Sequence, residues 1–230
     1  MKFQNPFSTL TKTERIIWIF SLCAVTLGFL FSEQKDLLSL TASLVGVTAL
    51  IFICKGNVLG QMLTVLFSIL YGIVSYQMHY YGEMITYLCM SAPAALFATV
   101  SWLCHPYKDK KDEVTIAHLS AKTWIILLSI TLPVTVLFYF LLQWLDTESL
   151  YVSTLSVATS FLAAGLTFLR SPYYGLGYAA NDLVLIVLWL LASFKERKYL
   201  PMLLCFGAFL VNDLYGFFNW RRIRKRQENG

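Results

Sequence analysis

The sequence predicts an all-α polytopic membrane protein with about eight transmembrane helices. Composition is the first reason: 57% of the residues are apolar and 13% are charged, where a soluble domain carries about 25% charged residues. A mean hydropathy of +0.63 agrees. The other reason is a series of apolar segments of membrane-spanning length. Together these features exclude a disordered chain, an ordinary cytosolic enzyme and a nucleic-acid-binding domain.

The apolar segments follow one another along the whole chain, separated by polar breaks. They cover residues 15–31, 37–54, 58–78, 83–104, 122–145, 150–169, 173–193 and 199–220. Each is close to the roughly 20 residues that a helix needs to cross a bilayer. Their apolar residues run continuously without alternating, which favours helices over the strands of a barrel. The longest break, 105–121, is predicted to be a loop.

The basic residues predict the orientation, because eight spans put both termini on one side. That side holds 14 of the 18 basic residues: Lys2, Lys12, Arg15, Lys55, Lys108, Lys110, Lys111, Lys122, Arg170, Arg221, Arg222, Arg224, Lys225 and Arg226. The other side holds Lys35, Lys195, Arg197 and Lys198. The positive-inside rule therefore places both termini in the cytoplasm. The basic tail is expected to bind anionic lipid.

Spans 2–4 and spans 6–8 have similar lengths and the same pattern of breaks. A single span between them would make the two units parallel, as in parallel-repeat transporters. This predicts a 3+1+3 pseudo-symmetric core with one extra N-terminal helix, although chance similarity of apolar helices is the alternative. The predicted parts are an N-terminal segment (1–35), a first three-helix unit (36–105), a loop and linker helix (106–148), a second three-helix unit (149–222) and a basic cytoplasmic tail (223–230).

Polar residues inside the spans mark the candidate site. The pattern Asn-Asp-Leu-x5-Trp occurs twice, beginning at Asn181 in span 7 and at Asn212 in span 8. The acidic residue of each copy, Asp182 or Asp213, is costly in a membrane, by about 2.5–3.5 kcal/mol at a helix centre on insertion scales. Such groups usually face a cavity or a partner. The alternative is that they bond only to one another and hold the helices together.

The two copies are predicted to lie at a similar depth. Asn181 is 11 residues after Arg170, and Asn212 is 9 residues before Arg221. At 1.5 Å per residue, both asparagines lie roughly 14–16 Å from these basic ends. We therefore expect the two Asn-Asp pairs to converge on one site near the middle of the membrane.

Further polar side chains extend this candidate site. Tyr215 and Asn219 follow Asn212 at helical spacing and continue a polar and aromatic stripe along span 8. Gln61 lies in the first turns of span 3, after the break at Lys55.

The roles of three tryptophans and one glutamate are predicted from their positions in the spans. Trp189 could stack on a flat ligand ring or belong to an outer aromatic belt. Trp102 and Trp220 close their spans and are expected to be interfacial anchors. Glu83 lies at the first turn of span 4, where a carboxylate suits the positive end of a helix.

The chemical groups of this candidate site indicate which class of ligand it would bind. Amides, carboxylates, one tryptophan and several tyrosines suit a nucleoside or an aromatic cation, which an indole binds by stacking or cation–π contact. A phosphorylated nucleotide is disfavoured, because no Arg or Lys lies in mid-span. The chain has no phosphate-binding GxxxxGK[ST] loop and no HExxH motif. We therefore expect no enzymatic activity, no cofactor and no metal.

Four motifs together resemble the PnuC family of bacterial nicotinamide riboside transporters. They are Gly56-Asn57-x-x-Gly60-Gln61, Tyr81-Gly82-Glu83-Met84, Asn181-Asp182…Leu188-Trp189 and Val211-Asn212-Asp213-x-Tyr215-Gly216…Asn219-Trp220. The resemblance covers residues 36–222. It implies uptake of nicotinamide riboside, an NAD precursor, across the bacterial inner membrane by facilitated diffusion. It also implies trapping by a cytoplasmic riboside kinase, a SWEET-like fold and a homotrimer.

The resemblance also implies the pocket, and it leaves the vitamin open, since related members take thiamine or riboflavin. The implied pocket residues are Gln61, Asn181, Asp182, Trp189, Asn212, Asp213, Tyr215 and Asn219. Trp189 is assigned to the ring, and the amides and carboxyls to the ribose and carboxamide. Two alternatives remain: a proton-coupled symporter that uses Asp182 or Asp213, and a membrane scaffold or receptor that transports nothing.

Overall fold

Eight helices of membrane-spanning length confirm the predicted fold class in the part of the chain that is described. The structure is a computed structural model that describes residues 5–31, 36–77, 81–108, 110–147, 149–195 and 200–230. The helices are α1 (Lys12–Phe31), α2 (Leu37–Cys54), α3 (Val58–Gln77), α4 (Tyr81–Cys104), α5 (Ala121–Trp144), α6 (Leu150–Phe168), α7 (Tyr174–Lys195) and α8 (Leu200–Glu228). Lys2, Lys35, Arg197 and Lys198, which enter the predicted orientation, lie outside the described residues.

The outward faces of these helices are apolar, as contact with lipid tails requires. On α5, for example, the side chains of Leu137 and Phe140 are 65% and 61% exposed. In water such a surface would be an aggregation hazard. In a bilayer it costs nothing, because lipid tails are as apolar as the side chains.

The helices pack in a pattern that repeats once. Within residues 36–104, α2 packs on α3 and α3 on α4; within residues 149–228, α6 packs on α7 and α7 on α8. Between the two groups, α2 contacts α8 and α4 contacts α6. Helix α1 packs against α2 and α8, and α5 packs against α6. The two groups of three helices therefore have the same order of packing.

The breaks inside the two groups also correspond. Gly56, between α2 and α3, and Arg170, between α6 and α7, both have left-handed backbone conformations, with φ of 69° and 56°. Their carbonyl oxygens accept hydrogen bonds from one loop: the amide of Val114 donates to Gly56 over 2.9 Å, and the amide of Ala117 to Arg170 over 3.0 Å. The loop after α4 therefore holds both breaks together.

Trp102 and Trp220 are not interfacial anchors, and that prediction is wrong. Both side chains are 0% exposed. Trp102 Nε1 donates to the carbonyl of Thr167 over 3.0 Å, and Trp220 Nε1 donates to the carbonyl of Ile53 over 2.8 Å. A buried indole N–H usually finds such a partner, and here the partners are carbonyls in the last turns of α6 and α2.

The predicted loop and tail carry more structure than the sequence indicates. Residues Pro106–Tyr107 and Lys110–Val114 form a short antiparallel hairpin. Helix α8 continues through the basic segment to Glu228. The side chain of Gln227 bonds the last turn of this helix to the loop after α4. Its Oε1 accepts from the amide of Ile116 over 2.9 Å, and its Nε2 donates to the carbonyl of Val114 over 2.9 Å. Arg226 also pairs with Glu113.

Candidate functional site

A cavity of about 440 Å³ lies between the two groups of helices. This is within the usual volume range for small-ligand pockets. Residues of α2, α3, α4, α6, α7 and α8 line it, and at one end it extends to the turn between α5 and α6. At its other end is Tyr174, whose ring packs on the indole of Trp220 with centroids 4.6 Å apart. That aromatic layer closes the end of the cavity nearer the chain termini.

Five of the eight predicted site residues line this cavity: Gln61, Asn181, Asp182, Trp189 and Asp213. Gln61, Asp182 and Asp213 are only 2–3% exposed. Apart from the contact between the two aspartates described below, Gln61 Nε2, Asp182 Oδ2 and Asp213 Oδ1 make no hydrogen bond to the described residues. A buried polar atom without a partner costs about 1–3 kcal/mol. These three side chains are therefore available to bind a polar ligand.

Asn181 is held in place by α6. Its Oδ1 accepts hydrogen bonds from Thr159 Oγ1 over 2.9 Å and from Ser156 Oγ over 3.2 Å. Because the amide group is planar, fixing Oδ1 also fixes the direction of the Nδ2 donor. The arrangement keeps one oriented donor group at the cavity.

Trp189 lies inside the helix bundle and not in an outer aromatic belt. Its side chain is 8% exposed, and its indole is stacked on Phe206 of α8, with an interplanar angle of 13° and centroids 6.5 Å apart. Both rings line the cavity. Parallel aromatic faces of this kind suit a flat ligand ring.

The two aspartates of the repeated motif meet, as the depth argument predicts. The carboxyl groups of Asp182 on α7 and Asp213 on α8 are in hydrogen-bonding contact. A hydrogen bond between two carboxyl groups needs a proton on one of them, since ionised carboxylates only accept. The pair can therefore hold one proton at the cavity.

Asn212 does not line the cavity, although it is the counterpart of Asn181 in the motif. It is 0% exposed, and its Nδ2 donates to Ser21 Oγ of α1 over 2.7 Å and to the carbonyl of Ala208 over 2.8 Å. Successive residues of a helix point about 100° apart. With Asp213 facing α7, its neighbour Asn212 faces α1.

Tyr215 and Asn219 also lie off the cavity lining. The hydroxyl of Tyr215 donates to Glu14 Oε1 over 3.4 Å, and Asn219 Nδ2 donates to the carbonyl of Cys54 over 2.9 Å. The polar stripe along α8 thus bonds to α1 and to the end of α2. The stripe therefore joins helices and does not line the cavity.

Sequence reasoning missed several lining residues. Glu83 lies in the first turn of α4, as predicted, and it also lines the cavity. It is followed by a π-helical segment, Thr86–Ser91, whose residues Thr86, Tyr87, Met90 and Ser91 line the cavity too. Such segments are frequent at functional sites. No pattern in the apolar sequence distinguishes this segment from an ordinary helix.

The charges at the cavity all have one sign. Its described lining holds four carboxyl groups, Glu83, Asp146, Asp182 and Asp213, and includes no Lys, Arg or His. A cation or a neutral polar molecule suits this lining, and an anion does not.

Comparison with known proteins gives consistent matches. The family described as nicotinamide mononucleotide transporter matches residues 36–222. The chain is similar to the nicotinamide riboside transporter PnuC of Neisseria mucosa, with 26% identity over 91% of this chain and 81% of that protein. It is also similar to the nicotinamide riboside transporter PnuC of Haemophilus influenzae, with 24% identity over 98% and 97% of the two chains.

A solved structure has the same fold. The crystal structure of the vitamin B3 transporter PnuC superimposes with a TM-score of 0.80 at 25% identity, covering 95% of this chain and 94% of the other. The matched range is the one over which the four motifs show the PnuC resemblance. These are transporters and not enzymes, as the sequence predicts. The chain therefore belongs to the nicotinamide mononucleotide transporter family, to which the PnuC resemblance assigned it.

Proposed function

We propose that this protein carries nicotinamide riboside across the membrane. The observation that carries the proposal is the cavity, which combines a buried indole, amide groups and carboxyl groups, and has no basic side chain in its described lining. The family description names a mononucleotide, whereas both relatives are named for the riboside. The cavity favours the riboside, because a phosphate group would meet carboxyl groups and no cation.

In this proposal, different cavity residues bind different parts of the ligand. Trp189 stacks on the nicotinamide ring. The donors of Gln61 and Asn181 and the acceptors of Asp182 and Asp213 bind the carboxamide and the ribose hydroxyls. Three further side chains hold α8 in place beside the site by bonding to α1 and α2: Asn212, Tyr215 and Asn219.

The proposed mechanism is facilitated diffusion with alternating access. Two parallel units in a 3+1+3, SWEET-like arrangement would rock around the cavity, which the repeated packing supports. No ATP-binding motif is present in the sequence, so net uptake would depend on the riboside gradient. A cytoplasmic riboside kinase would maintain that gradient by trapping the product.

We also propose the setting of this transporter. It would lie in the bacterial inner membrane with both termini in the cytoplasm, as the predicted positive-inside distribution implies. The family resemblance implies a homotrimer, which native mass spectrometry of the detergent-solubilised protein would test. A dominant monomer or dimer at several detergent concentrations would contradict the trimer.

One observation favours a second candidate, proton-coupled uptake. The contact between Asp182 and Asp213 could hold a proton that moves with the ligand. Uptake into proteoliposomes without kinase separates the two mechanisms. With a pH gradient imposed and the membrane potential held at zero, a facilitator only equilibrates the riboside, whereas a symporter accumulates it above equilibrium until an uncoupler is added.

Thermal stabilisation of the purified protein in detergent tests the substrate. Binding to the folded state raises the melting temperature by mass action. We expect nicotinamide riboside to raise it, with thiamine, riboflavin and nicotinamide mononucleotide having little effect. Trp189→Ala should weaken binding by about 5- to 150-fold, since stacking on an aromatic side chain is worth about 1–3 kcal/mol.

Trp144→Ala is the matched control, because Trp144 is 79% exposed at the end of α5. It should leave the stabilisation unchanged. A shift with thiamine alone would support the cavity as a binding site but identify thiamine as its ligand. No shift with any of the four compounds would contradict the proposal and favour a scaffold that transports nothing.

A further inference from the structure

We propose that Glu83 selects the ligand by its positive charge, so that the cavity prefers a pyridinium nucleoside to an uncharged nucleoside of the same shape. This inference rests on the proposed function and names the feature of the substrate that the protein recognises. It adds a specificity-determining residue on α4, away from the motif residues of α7 and α8.

The position of Glu83 is set by close packing at the start of α4. A Cβ atom at the preceding Gly82 would lie 3.0 Å from Leu142 Cδ2 and 3.1 Å from Thr147 Oγ1. The chain therefore approaches the turn between α5 and α6 closely at this point. Glu83, one residue on, lines the cavity together with residues of that turn.

The carboxyl groups around the cavity are not equivalent. Asp182 and Asp213 contact each other, so a proton shared between them removes part of their charge. Asp146 lies on the exposed rim, where water screens it. Glu83 is partly buried and accepts no hydrogen bond from the described residues. In this proposal it is the carboxyl group that pairs with a cation inside the cavity.

A second feature places ligand-binding groups in the same cavity. Apart from the contact between the two aspartates, Gln61 Nε2, Asp182 Oδ2 and Asp213 Oδ1 are buried there without a hydrogen-bond partner among the described residues. These atoms can bind the polar parts of a nucleoside but do not distinguish a charged ring from a neutral one. A carboxylate can, because in surroundings less polar than water it attracts a cation at several ångströms.

Two forms of one ligand test the inference. Nicotinamide riboside carries a pyridinium ring with one positive charge, and its 1,4-dihydro form has the same ribose and carboxamide but no ring charge. Their dissociation constants would be measured for the wild type, Glu83→Gln, Glu83→Asp and Asp146→Asn. Each variant would first be required to keep the wild-type melting temperature without ligand to within a few degrees.

We expect the wild type to prefer the charged form and Glu83→Gln to reduce that preference about tenfold, mainly by weakening the charged form. Glu83→Asp keeps the charge and should retain most of the preference. Asp146→Asn should change it less than threefold. Asparagine tolerates the left-handed backbone of residue 146, where φ is 52°.

The outcomes separate the inference from the function on which it rests. If the wild type binds both forms and Glu83→Gln weakens them equally, or changes neither, the inference is wrong and the proposed function stands. The same holds if Asp146→Asn changes the preference as much as Glu83→Gln does. If the wild type binds neither form, the proposed function fails, and the inference fails with it.

Discussion

The indole Nε1 of Trp220, in the C-terminal half of α8, lies 2.8 Å from the carbonyl oxygen of Ile53 in the last turn of α2. Trp102 makes the corresponding bond to Thr167, so the last helix of each group of three is tied to the first helix of the other. The two indoles also contact each other, with ring centroids 5.3 Å apart. The two groups of helices are therefore joined at the end of the cavity nearer the chain termini.

Removing one of these N–H donors should destabilise the closed end. Trp220→Phe keeps an aromatic ring but leaves the Ile53 carbonyl buried without its partner, which costs about 1–3 kcal/mol. We expect the melting temperature in detergent to fall by several degrees, and by a similar amount for Trp102→Phe. Trp144→Phe, at an exposed position, is the control. Equal melting temperatures for all three variants would show that the indole bonds do not hold the groups together.

The two asparagines of the repeated motif should respond differently to substitution. Asn181→Ala removes a group at the cavity, so we expect affinity for nicotinamide riboside to fall about tenfold. Asn212→Ala removes the bond to Ser21 and should lower the melting temperature, with affinity staying within about twofold. Isothermal titration and a melting curve on each variant measure both effects. A larger loss of affinity for Asn212→Ala would place that residue in contact with the ligand after all.

A methyl group at Gly175 should not be tolerated. Its Cβ would lie 2.5 Å from the carbonyl oxygen of Asp213 and 2.7 Å from the amide nitrogen of Phe217, both backbone atoms of α8. Gly175→Ala must therefore push α7 away from α8, and we expect little folded protein.

Gly207→Ala is the matched control for this substitution. A Cβ there meets nothing within 4 Å, and alanine favours a helix by about 1 kcal/mol over glycine. The control should fold at least as well as the wild type in size-exclusion chromatography. Normal yield of Gly175→Ala would contradict the close approach of α7 and α8.

The cap of α2 should make a pH-dependent contribution to stability. Burial alone would raise the pKa of Asp36, but hydrogen bonds from Ser39 Oγ and from the amides of Leu38 and Ser39 outweigh burial and hold it below its ordinary value. The folded protein therefore favours the ionised form. The contribution of Asp36 to the free energy of unfolding is complete above the ordinary pKa of about 3.9. It is lost as the pH falls through the lower pKa of the folded state.

Asp36→Ala measures that contribution. We expect it to cost about 1 kcal/mol at neutral pH, as for other helix caps, and to lower the melting temperature by a few degrees. The difference from the wild type should be constant from pH 8 to about pH 5 and should shrink below about pH 4. A difference that stays constant through the acid range would mean that the carboxylate does not cap the helix.

The helices were predictable because a membrane span depends on the local density of apolar residues, which needs no knowledge of the fold. All eight appear at the predicted places. The direction of a polar side chain was less predictable. The depth argument applies equally to Asn181 and Asn212, yet α6 binds the first at the cavity and α1 binds the second away from it. On α8, the rotation of about 100° between Asn212 and Asp213 directs the asparagine towards α1 and leaves the aspartate at the cavity.

The sequence by itself determined that this is a membrane protein with eight helices and a family membership visible in four short motifs. It also determined that Asp182 and Asp213 lie at one depth, because a continuous helix converts residue number into height. The tertiary structure decided which side chains face the cavity, why Trp102 and Trp220 are buried, and that Glu83 lines the site. These depend on which neighbour each helix face contacts, and that is set by packing between residues far apart in the chain.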